Sequence, residues 1–236
     1  MKLSELAFSC WLYGRFTGFD KDYLDLLQKT DNSLCISNTK HVEALLKWLN
    51  KWGCRQFAVN YHNLAISEIR SWYGRFRKHD FGERDSLDLT DDDLSFISDT
   101  FNGLMDKTAS FRRRKSNRSR VRIGPTGAAK ILFALNPEIF PPWDQAIRED
   151  KEYNYDGSGD SYVEYLRKIR SILLELKPKC EKIGFKLEEL PRILERENST
   201  LPKLIDEYSW VKITNKCIPP TSDIFKKWSR WSELED

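Results

Sequence analysis

The residues of this chain that can do chemistry crowd into one stretch, from Arg112 to Arg148. Asp144 closes the run Pro137-x-x-Phe140-Pro141-x-Trp143-Asp144, where prolines restrict the backbone ahead of a helix start. A carboxylate there sits in the favourable field of a helix N-terminus. It can cap the helix, or it can stabilise positive charge that develops on a bound substrate. Upstream lies Ile123-Gly124-Pro125-Thr126-Gly127-Ala128-Ala129-Lys130. A tight glycine turn opening a helix exposes backbone N–H groups that grip a phosphate without reading sequence. Lys130 falls one helical turn after Thr126 on the same face, so its amine reaches toward the same site.

Ahead of the glycine turn, Arg112, Arg113, Arg114, Lys115, Arg118, Arg120 and Arg122 put seven positive charges into eleven residues with no acid among them. Such a local field answers a phosphate backbone, although the whole chain is only +3 over 236 residues. With 40% hydrophobic and 32% charged residues the composition is globular. No apolar run approaches the ~20 residues of a membrane span, and Met1–Leu6 lacks the pattern of a signal peptide. The expectation is a monomer of the cytoplasm, associated with the nucleoid, or of the nucleus in a eukaryote. Cys10, Cys35, Cys54, Cys180 and Cys217 are scattered without a C-x-x-C pair, so spacing suggests neither zinc nor an iron–sulfur cluster. They read as buried free thiols. His41, His62 and His79 show no ligand spacing.

The elements that must hold these residues read as helices nearly throughout. Val42, Leu45, Leu46 and Leu49 recur at helical spacing after Asn38-Thr39, and Gly53 is placed as a C-terminal cap. Gln56 to Phe76 repeats the pattern, with Gly74 as its stop. Thr90 followed by Asp91, Asp92 and Asp93 is an N-cap with acids in the first turn. Tyr162 to Leu176 predicts another long amphipathic helix, and shorter ones follow around 187–196, 201–208 and 223–231. No period-2 strand stands out. The fold class expected is all-α: N-terminal helices over 1–110, the basic run, hairpin and Asp144 over 111–150, and C-terminal helices over 151–236. Two helical lobes would flank a DNA cleft. Trp48, Trp52 and Trp72 are expected in the core, Trp143 in a substrate pocket beside Asp144, and Trp228 and Trp231 pinning the last helix.

The stretch from Ile123 to Asp144 resembles the helix-hairpin-helix DNA glycosylase superfamily, with its endonuclease-III-like and archaeal 8-oxoguanine-excising branches. The resemblance covers about thirty residues. Ile123-Gly124 matches the end of the hairpin, Gly127-Ala128 the small pair that follows, and Asp144 the family's aspartate. It departs in two places: Arg122 stands at the first hairpin glycine, and Thr126 at the lysine of the lyase branch. The resemblance implies double-stranded DNA carrying a modified base as substrate, base flipping, hydrolysis of the N-glycosidic bond with Asp144 as the catalytic carboxylate, and no cofactor or metal. It implies phosphate contact by Gly124, Thr126 and Gly127 along with the basic run. Three activities follow from it: a glycosylase without lyase activity, because a threonine hydroxyl cannot form a Schiff base; a bifunctional glycosylase/lyase using Lys130; and a DNA-binding module without chemistry.

Overall fold

The computed structural model describes residues 1–114, 117–151 and 153–232, and the side chains of 113, 114, 117 and 230–232 lie outside that description. Lys115 is therefore outside the described residues, as are the side chains of Arg113, Arg114 and Trp231. The N-terminal part is built from α1 (Leu3–Phe16), α2 (Phe19–Lys29), α3 (Thr39–Lys51), α4 (His62–Phe76) and α5 (Asp91–Met105). Then come strands β1 (Thr108–Arg114) and β2 (Asn117–Arg122), and α6 (Gly124–Leu135) and α7 (Gln145–Arg148). The C-terminal part holds α8 (Gly159–Lys182), α9 (Leu190–Ile193), α10 (Leu201–Ser209) and α11 (Ser222–Ser232).

Local chemistry sets the helix ends as the sequence suggests. The Asn38 side chain accepts from the Lys40 amide at 3.0 Å, and Thr90 and Asp93 form a reciprocal capping box. Gly53, at φ +85°, ends α3 in the left-handed region. Gly74, by contrast, lies inside α4, which runs on to Phe76 because Trp72 and Phe76 still face the core. Of the cysteines, Cys10, Cys54 and Cys180 are buried, whereas Cys35 is exposed.

The described chain is mostly helical, as expected, and the exception is the basic run. It is an antiparallel hairpin in which Ser110 pairs with Val121, Phe111 with Arg120 and Arg112 with Ser119. Its root packs on α4, where Ala109 is fully buried and the Ser110 hydroxyl donates to the Gln56 carbonyl at 2.6 Å. Arginine hides the alternation: Ser119-Arg120-Val121-Arg122 has a strand's period, but its repeated residue is a cation. The element entering Gly124 is thus a strand and not a helix.

One contiguous apolar cluster runs through the molecule from Leu6 to Ile205. Within it α1 packs on α10, α2 on α3, α5 on α8, and α6 against both α3 and α5. Trp48, Trp52 and Trp72 are buried as their spacing predicts. Trp228 is 46% exposed and its ring stands edge-on to Phe225, which is itself edge-on to Phe8 and so joins α11 to α1. Among the described residues no helix is long and apolar enough to cross a membrane.

Candidate active-site cleft

α6 carries the site. Its residues from Gly127 to Ala134 are all buried, so the helix is a core rod that reaches solvent at its N-terminal turn and, in part, at Leu135. Gly124 starts it at φ +69°, a conformation that disfavours a side chain. The Gln56 amide donates to the Ile123 carbonyl at 2.7 Å, tying the turn to the loop after α3. Gly127 does not face solvent: a Cβ there would meet the Gln56 amide nitrogen at 2.7 Å and an Ile123 methyl at 2.9 Å. The missing side chain at Gly127 serves close packing.

One turn further, Lys130 is buried yet charged on a helix otherwise apolar. Its Nζ donates to the Trp52 carbonyl at 2.7 Å and lies 2.8 Å from Asp144 Oδ1. Asp144 occupies the N-cap position of α7, but its side chain caps nothing; the carboxylate is turned toward Lys130 instead. A buried cation is tolerated where it is paired and hydrogen-bonded. α7 is in turn fixed by Arg148, which donates to Thr126 Oγ1 at 2.8 Å and to the Trp143 carbonyl at 3.1 Å. Burial pushes this guanidinium below its ordinary value. Thr126 thus clamps α6 to α7.

These groups line a cleft of about 700 Å³ whose walls include Arg122, Gly124, Thr126, Lys130, Asp144 and Gln145 on one side and Phe19, Trp52, Cys54, Gln56, Trp210 and Thr214 on the other. Burial pushes the Cys54 thiol up to about 11, so it stands in the wall as a neutral group. Phe19 and Trp210 meet at right angles, 6.0 Å between ring centres. Trp210 and Thr214 come from a single π-helical turn, Trp210–Thr214, that continues α10; π-turns are frequent at functional sites.

Trp143, expected in the pocket, is not there. It is fully buried, stacked on Tyr165 at 5.7 Å and edge-on to Phe101. Its place in the chain beside Asp144 is not a place beside it in space, because consecutive residues of an extended segment point to opposite sides.

Of the basic run, Arg122 lines the cleft and pairs with Asp106 at 3.1 Å. Arg120 also turns to Asp106 and donates to Thr108 Oγ1 at 2.8 Å. Arg112 and Arg118 are exposed on the hairpin.

Behind the cleft wall lies a buried polar network. Lys203 Nζ lies 2.8 Å from Asp206 Oδ2 and 3.1 Å from the Tyr13 hydroxyl, while Arg196 joins Glu207 and Asp20. Sequence reasoning missed Phe19, Gln56, Trp210 and this network, because they come from widely separated parts of the chain and share no motif. Comparison with protein-family models, curated proteins and solved structures finds no match to this chain.

Proposed function

We propose that this chain is a DNA N-glycosylase that draws a modified base out of duplex DNA into the cleft and hydrolyses its N-glycosidic bond, leaving an abasic site. One observation carries the reading: the Asp144 carboxylate, free of any capping duty, meets Lys130 at 2.8 Å in a cleft that also holds Arg122 and the first turn of α6. The glycosidic C–N bond breaks with its electron pair leaving on the base, and positive charge develops on the sugar. Asp144 stabilises that charge, then accepts the proton of the water that adds to C1′. Phe19 and Trp210 offer planes against which an extruded base packs, and the N-terminus of α6 with Arg122 faces the phosphates.

The pairing of Lys130 with Asp144 favours one second reading, a glycosylase/lyase in which Lys130 attacks C1′ itself. That path requires Nζ to leave both the Trp52 carbonyl and the carboxylate. The two paths separate in one experiment on DNAs that carry different modified bases. Asp144→Asn retains size and should lower base release by about 10²–10³-fold with DNA binding retained. Borohydride should trap no protein–DNA adduct with the wild type. Full base release by Asp144→Asn would remove the carboxylate from the mechanism. A trapped adduct lost in Lys130→Ala would establish the lyase path, and binding without base release from any DNA would leave only a binding module.

A further inference from the structure

The described arginines of the hairpin are not equivalent. Arg120 and Arg122, at its root, are both drawn onto Asp106. Arg112 and Arg118, further out, are exposed and have no carboxylate in ion-pairing reach among the described residues. Arg118 is also seated. Its guanidinium carbon lies 4.1 Å from the centre of the Phe111 ring and 5.5 Å from that of Tyr61, and the two rings stand 5.9 Å apart at 58°. The strand register produces this arrangement, since Phe111 pairs with Arg120 and Arg118 lies two residues along on the same face. Tyr61 comes from the turn before α4, so the seat belongs partly to the body of the molecule and not to the hairpin alone.

A guanidinium is planar and weakly hydrated, and it stacks on π-systems. Phe111 covers one side of Arg118 while the residue as a whole remains exposed. A phosphate would be served equally by Arg112, which has no such seat. An aromatic ring beneath the cation fixes its plane in advance, lowering the ordering cost of stacking a further planar group upon it.

We propose that Arg118, held on Phe111 and Tyr61, is a stacking platform for an unpaired nucleobase of a DNA strand, separate from the Asp144 cleft, whose walls do not include it. The proposal rests on this chain binding DNA and on nothing that happens at Asp144. The platform would hold a base where the duplex has been opened or ends, while Arg112 contributes charge alone.

The test is fluorescence anisotropy of the full chain with three labelled DNAs: a duplex bearing a short thymine overhang, the same duplex with abasic residues in the overhang, and a blunt duplex. The wild type should bind the thymine overhang about tenfold more tightly than the abasic one, as expected for one stacked base. Arg118→Lys keeps the charge and removes the plane. It should abolish most of that preference, so that the thymine and abasic overhangs bind with nearly the same affinity. Phe111→Leu should act in the same direction. Equal wild-type binding of the two overhangs, or a preference that survives Arg118→Lys, overturns the platform, as does failure to bind any of the three DNAs. An intact preference in a protein that releases no base supports the platform and faults only the glycosylase reading.

Discussion

At the scale of single residues, the centre of the site is a tryptophan between two ammonium groups. The Trp52 ring lies 5.6 Å from Lys130 Nζ and 5.8 Å from Lys203 Nζ, and each lysine has its own carboxylate, Asp144 for one and Asp206 for the other. The two pairs differ in access to water: Asp144 opens into the cleft, whereas Asp206 is enclosed. Burial holds the Asp206 carboxyl up at about 6 against the lowering pull of Lys203, and the Asp144 charge adds to the rise. A carboxyl raised above its free value binds its proton more tightly in the folded chain. Its contribution to stability is then complete below about pH 4 and is lost as pH climbs through about 6. Asp206→Asn has no such contribution to lose. The melting temperature of the wild type minus that of Asp206→Asn should therefore fall by several degrees between pH 4 and 7, given about 2–4 °C per kcal/mol in a chain of this size. A difference that stays flat across that range would show Asp206 ionised throughout.

At the scale of elements, two glycines make the same demand with different tolerance. Gly159 begins α8 against α5, its amide donating to Asn102 Oδ1 at 2.8 Å, and a Cβ there would run into the Ser98 backbone carbonyl. At Gly127 the nearest atom is the end of the Gln56 side chain. Backbone cannot yield as a side-chain terminus can, so Gly159→Ala should cost about 1–3 kcal/mol and Gly127→Ala less. Thermal unfolding of the two variants checks the order, and a larger loss at Gly127 would contradict it. These contacts also mark how far the sequence can be read. Periodicity and caps announce α3, α5 and α8 because their apolar stripes and end residues are local signals. The hairpin is disguised because its repeating residue is arginine, which reads as charge before it reads as a strand. Asp144 and Lys130 are recognisable by type, but fourteen residues and a proline-rich turn separate them, and no spacing rule brings them together. Phe19, Gln56 and Trp210 reach the cleft through the packing of α2 and α3 on α6 and of the π-helical turn on α7.

At the scale of the whole molecule, a net charge of +3 says little about where a polyanion would bind, and the sum over the hairpin says too much. Phosphate contact releases counterions, and each contact adds about 0.9 to the slope of log affinity against log salt. That holds only for cations not already compensated. Asp106 lies against both Arg120 and Arg122, so part of the root's charge is already compensated, whereas Arg112 and Arg118 have no carboxylate partner among the described residues. Binding of duplex DNA measured over a range of salt should therefore lose about one unit of slope in Arg112→Ala, and the same in Arg118→Ala. Arg120→Ala should lose distinctly less. Asp106→Asn should steepen the slope, because it releases two arginines toward the phosphates. It should do so most where Arg122 faces the cleft beside the first turn of α6. Equal losses at all three arginines, together with an unchanged slope in Asp106→Asn, would mean that the hairpin acts as an undifferentiated basic surface and that Asp106 plays no part in directing DNA toward the cleft.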